Sequence, residues 1–135
     1  MATHADKLLR DLKALLPTLV AEEPCDDGVR LTAGDPCEIV VQISGNEVHF
    51  SQFALEWEGS HEAVIRPLPI ATIHWRTLLK KERTQTFKLL VEMIVKRRRK
   101  LYRVCQYCER LVPPESLHGE KTCHGCAERH LGVVH

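Results

Sequence analysis

At 135 residues the chain has room for one small domain carrying an appendage. Charged residues at 27% and apolar residues at 44% exclude a disordered polyelectrolyte. No apolar run approaches the roughly 20 residues that cross a bilayer. The net charge of +1 conceals a sharp division. Residues 1–70 carry twelve acids against five bases, residues 71–104 eleven bases against two acids, and residues 105–135 three bases against four acids.

The first segment, MATHADKLLRDLK, interleaves charges with leucines and lacks the apolar core of a secretory signal, so a cytoplasmic location is expected. Leu8, Leu9, Leu12, Leu15, Leu16 and Leu19 recur at the spacing of one helix face. Thr3 with Asp6 resembles a capping arrangement, and Pro17 ends or kinks the helix. Residues 21–36 are rich in acids, Pro and Gly. They read as a loop with a short strand at Gly28–Thr32.

From Cys37 to Arg66 the period becomes two. Ile39, Val41 and Ile43 alternate, the turn Ser44-Gly45-Asn46 follows, and Val48 and Phe50 continue beyond it as a hairpin. After Ser51 the alternation changes phase to Phe53, Leu55 and Trp57, as a bulge or a tight bend would cause. A strand that presents two faces must bury one, so these three side chains should not all be exposed. Gly59-Ser60 makes a second turn, Ala63–Arg66 a short strand, and Pro67 and Pro69 stop it.

A helix is then expected over about Trp75–Val104, on the order of 45 Å long if unbroken. Phe87, Leu90, Val91, Ile94 and Leu101 share one side, and Lys81, Lys88, Lys96, Arg99 and Arg103 the opposite one. The run Lys96-Arg97-Arg98-Arg99-Lys100 followed by Arg103 reads in two ways. It is a phosphate-binding surface, with Lys88, Lys96, Arg97, Arg99, Lys100 and Arg103 as candidate nucleic-acid contacts, or a face docked against the acidic half of the chain.

The chain closes with two Cys-x-x-Cys pairs, Cys105/Cys108 and Cys123/Cys126, fourteen residues apart. Each pair can turn back on itself so that both sulfurs face one ion, and two pairs fill the tetrahedral shell of a single structural zinc. With no export signal in view, this pattern favours metal over disulfides. Between the pairs, Pro113-Pro114 and His118-Gly119 allow a short irregular hairpin. After them Ala127–Leu131 reads as a short helix ending near Gly132. Over about 31 residues this order of knuckle, hairpin and helix resembles the treble-clef zinc finger superfamily. A zinc ribbon is the alternative if a strand follows Cys126. A segment with so little apolar content cannot build its own core, so the ion would supply folding free energy, roughly 10–16 kcal/mol apparent for finger peptides.

His118, His124 and His130 read as neighbours of the site, since four cysteines suffice as ligands. The treble-clef resemblance also implies a nuclease alternative of the HNH kind, with His118 as base, although no second metal-binding pattern accompanies it. Cys25 and Cys37 read as two thiols, one buried at a strand start, with a disulfide or a weak second site as alternatives.

The expected fold is therefore α+β. An N-terminal helix and a small antiparallel sheet pack on the long helix within residues 1–104, followed by a four-cysteine zinc module at 105–135. No catalytic constellation stands out. The expected role is a non-enzymatic regulatory or accessory protein that binds nucleic acid through the basic helix, with a protein-interaction adapter as the alternative. Nothing in the sequence indicates a membrane partner or sets the oligomeric state.

Overall fold

The computed structural model describes residues 4–58, 62–118 and 122–132. Thr3 of the expected cap, the Gly59-Ser60 turn and Gly119 lie outside them. Helix α1 spans His4–Leu15. Pro17 ends it rather than kinking it, so Leu16 still closes on Leu12 O while Leu19 lies beyond the helix and is exposed. Leu8, Leu12 and Leu16 are buried, as the leucine spacing requires.

A five-stranded antiparallel meander follows. Its strands are β1 (Val20–Cys25), β2 (Gly28–Gly34), β3 (Cys37–Ser44), β4 (Glu47–Gln52) and, after a two-stranded excursion, β7 (Leu68–His74). Residues 21–36, expected to be mostly loop, form β1 and β2 instead. Val29, Leu31 and Ala33 do alternate. The acids and Pro24 of β1 are tolerated because β1 is an edge strand. The Gly45-Asn46 turn joins Ser44 to Glu47 as expected, and Ile39, Val41 and Ile43 pair with Gln52, Phe50 and Val48. The change of phase after Ser51 is a bend, where the chain leaves the sheet at Phe53-Ala54 to make the separate hairpin β5 (Leu55–Glu58) and β6 (Glu62–Ile65).

Strand β6 ends at Ile65, just before Pro67, as expected, but a further strand follows at once. Pro69 lies within β7, the other edge of the sheet, where a proline is tolerated. A bulge lies here. Phe50 faces Ala71 and Ser51 faces Pro69, which leaves Ile70 as the extra residue.

The expected helix over 75–104 is shorter. A 3-10 turn occupies Trp75–Thr77, and α2 runs Lys80–Arg99. Leu101, expected on its apolar side, lies past the helix end and is 43% exposed. Arg103 belongs to a strand, not the helix. The stripe Phe87, Val91 and Ile94 packs with α1 on one face of the sheet, and the Phe87 ring sits 5.3 Å from Phe50. Among the described residues no helix is long and apolar enough to cross a membrane.

Candidate metal centre and its basic flank

The segment after residue 104 has little core of its own: Cys105, Val112, Cys123 and Cys126 form its buried cluster, with Cys108 and Leu117 against it. Strands β8 (Arg103–Val104) and β9 (Leu111–Val112) pair and bracket the first knuckle. The knuckle closes through Cys105 N–H to Arg110 O and Glu109 N–H to Cys105 O. Glu109 takes φ 60°, a left-handed conformation that turns the chain sharply enough for both sulfurs to face inward. Strands β10 (Leu117–His118) and β11 (Thr122–Cys123) pair and deliver Cys123 to the first turn of a helical segment. That segment is α3 (His124–Cys126), continuing as a π-helical turn over Ala127–Leu131, and Gly132 terminates it in the left-handed region at φ 69°.

These elements bring the Sγ atoms of Cys105, Cys108, Cys123 and Cys126 within 4.8 Å of one another. Cys108 Sγ and Cys123 Sγ are 3.8 Å apart. Four sulfurs about 2.3 Å from a tetrahedral centre are spaced by about 3.8 Å, so the cluster fits one such ion. The donors around the sulfurs suit thiolates. Cys123 N–H points at Cys105 Sγ (3.4 Å), Cys126 N–H at Cys123 Sγ (3.5 Å), and Arg129 Nη2 at Cys126 Sγ (3.4 Å). Burial pushes the Cys105 thiol up, but the backbone N–H groups of Cys108, Cys123 and Tyr107 outweigh it and hold it at about 5. A hydrogen bond from the Arg110 guanidinium holds Cys108 below its ordinary value. Burial, then the neighbouring Cys123 sulfur, drives Cys126 up to about 11. Four thiolates this close repel one another, and a divalent cation removes that conflict, leaving a net of about −2 that Arg110 and Arg129 offset.

Of the three histidines expected nearby, His124 reaches Leu117 O through Nε2 (3.2 Å), and the His130 ring stacks on Tyr107 with centroids 4.2 Å apart. His118 lies in β10 and its side chain is outside the described residues. Among the described residues no second cluster of His, Cys, Asp and Glu accompanies the four cysteines. Cys25 and Cys37 are both half-buried free thiols. Burial raises the Cys37 thiol above its ordinary value.

The basic run is divided between the two expected arrangements. Arg98 is 2% exposed and belongs to the core side of α2. Its guanidinium pairs with Glu115 of the turn before β10, its Nε reaches Cys37 O (3.4 Å), and it lies over the rings of Phe53 and Tyr102. Arg99 grips buried Glu38 with two contacts of 2.6 and 3.1 Å, although its own side chain is 59% exposed. The Tyr102 hydroxyl donates to Cys37 O at 3.2 Å. Trp57 Nε1 donates to Glu115 O at 3.3 Å, and its ring lies 6.2 Å from that of His124. The cysteine module thus meets the rest of the chain through Glu115, which takes Arg98 of α2 and Trp57 of β5, and through His124 beside the Trp57 ring. Lys88, Lys96, Arg97 and Lys100 are exposed and make no ion pair among the described residues. Arg103 is exposed too, and its guanidinium folds back on Lys100 O and Tyr102 O.

Sequence reasoning passed over Arg98, Glu115, Glu38 and Tyr102. For Arg98 a signal existed. It continues the apolar spacing of Phe87, Val91 and Ile94, and a charge on a buried stripe requires a partner. No known family model, curated protein or solved structure matches the chain.

Proposed function

We propose that the chain is a non-enzymatic accessory protein of the cytoplasm that holds one zinc ion in a treble-clef-like module and binds the phosphate backbone of nucleic acid beside it. Zinc is supported by the donor set. Four cysteines with tetrahedral spacing and no open position suit a structural zinc that holds shape and activates no water. The treble-clef reading is supported by the order of knuckle, hairpin and helical turn, with the last two ligands at the start of that turn.

The observation that carries the nucleic-acid reading is the division of labour in the basic run. Arg98 and Arg99 are tied to carboxylates, while Lys96, Arg97, Lys100 and Arg103 stay exposed at the junction of α2 and the metal module. Anchoring the two inner arginines fixes the direction of the outer bases. Bases on one stripe reach phosphates without a base register, so affinity should be largely independent of sequence and should fall steeply with salt. The test is a salt series with short duplexes and single strands, for wild type and for Lys96→Glu, Lys100→Glu. Binding that weakens with salt and is lost in the variant supports the reading. Binding that is absent at low salt, or equal for both proteins, contradicts it.

A protein-interaction adapter is the second reading, and one observation favours it. Val104 and Leu111 face each other across β8 and β9, both more than half exposed, with half-exposed Tyr107 and Leu131 in the same module. An apolar interface there would be insensitive to salt.

A further inference from the structure

We propose that a cavity between α1 and the start of α2, remote from the metal module, binds the diphosphate group of a small molecule. The cavity measures about 530 Å³ and is lined by Lys7, Arg10 and Asp11 of α1, Trp75, and Lys80 and Arg83 of α2. Its volume lies in the ordinary range for small-ligand sites. Four cations and one acid meet there from segments some seventy residues apart in the chain. None of the four cations makes an ion pair among the described residues. Unpaired like charges gathered round a concavity repel one another, so the arrangement raises the energy of the empty protein and is relieved by an anion.

The wall is fixed. Trp75 is 3% exposed and its Nε1 donates to Gly45 O at 3.1 Å. The Arg83 guanidinium lies 5.5 Å from the centre of its ring, and Arg76 4.8 Å, so Arg83 is held in place before any ligand arrives. The start of α2 adds to the field. Leu79 supplies no capping side chain, and the first turn carries Lys80, Lys81 and Arg83 against one acid, Glu82. Bases at a helix N-terminus oppose its positive end unless an anion sits between them. A single phosphate would leave much of the volume and some of the cations unused, whereas a diphosphate carries enough charge and enough acceptor oxygens to engage Lys7 and Arg10 of α1 together with Lys80 and Arg83 of α2.

The test is calorimetric titration of the full zinc-loaded chain with inorganic pyrophosphate, inorganic sulfate and ADP. Wild type, Arg10→Gln, Lys80→Gln and the distant Lys96→Glu, Lys100→Glu variant are compared, and each protein is also melted without ligand. The expected result is saturable 1:1 binding of pyrophosphate and of ADP, each at least tenfold tighter than sulfate. Binding should be at least tenfold weaker in each cavity variant and unchanged in the distant one. Without ligand the cavity variants should melt at the same or a higher temperature, because each removes a repulsion. Purely structural arginine and lysine would melt lower. Equal binding of sulfate, loss of pyrophosphate binding in the distant variant, lower melting of both cavity variants, or stoichiometric displacement of pyrophosphate by duplex DNA would each overturn the proposal. Because the distant variant carries the changes that test nucleic-acid binding, the two readings fail separately.

Discussion

Arg98 joins the two halves of the molecule. Its guanidinium is removed from water, so its stability depends on Glu115, Cys37 O and the two flanking rings together. Glu115→Ala would strand a buried charge and should cost about 3 kcal/mol or more in urea unfolding. Replacing both partners, as Arg98→Met with Glu115→Leu, should recover much of that loss, since a buried pair is often no better than apolar packing. Arg99 with Glu38 differs. The arginine is mostly solvated but Glu38 is buried, so removing Arg99 would leave a buried carboxylate without its partner and should cost more than the roughly 1 kcal/mol of a fully exposed pair. The spacing marks Arg98 as buried, but neither partner was legible in the sequence, because spacing along α2 does not name Glu115 or Glu38. Glu109 supplies a second test at this scale. A β-branched residue tolerates its left-handed conformation poorly, at a cost of roughly 1–2 kcal/mol. Glu109→Val should therefore weaken metal retention against a chelator about tenfold.

Among the elements, those with a regular apolar period were readable, and those defined by their edges were not. The leucine face of α1, the β3–β4 hairpin and the Phe87–Ile94 stripe of α2 follow from spacing alone. Strands β1 and β7 carry acids or prolines that read as loop, yet both are sheet edges where such residues are tolerated. The limits of α2 were missed for a different reason. No Pro or Gly marks either end, and the chain leaves the helix where Tyr102 turns toward Cys37 O. Trp57 shows how one element depends on another. It is half exposed, as a lone hairpin would leave it, but its indole N–H rests on Glu115 O of the cysteine module. Removal of the ion by chelation should red-shift its emission, while Trp75, deep in the first core, should not change. Phe87 carries the packing of α2 on the sheet, and Phe87→Ala should cost about 3–5 kcal/mol in thermal or urea unfolding.

For the whole molecule, the four cysteines were legible from their spacing because a tetrahedral site requires paired ligands. The docking of the cysteine module was not, since it depends on a contact between residues 58 positions apart, Trp57 and Glu115. On the proposed reading, an ion held by Cys105, Cys108, Cys123 and Cys126 would order the segment that carries Glu115, Glu115 pairs with Arg98, and the anchored helix end sets the direction of Lys96, Arg97 and Lys100. Loss of the ion should therefore loosen the C-terminal module first and leave the α1–sheet–α2 core folded, which amide hydrogen exchange would resolve segment by segment. The most direct test is the metal stoichiometry of freshly purified full-length chain by native mass spectrometry, wild type against Cys123→Ser. One zinc per wild-type chain and its loss in the variant are the expected result. A metal-free wild type, an iron–sulfur chromophore in its place, or full zinc retention by Cys123→Ser would contradict it.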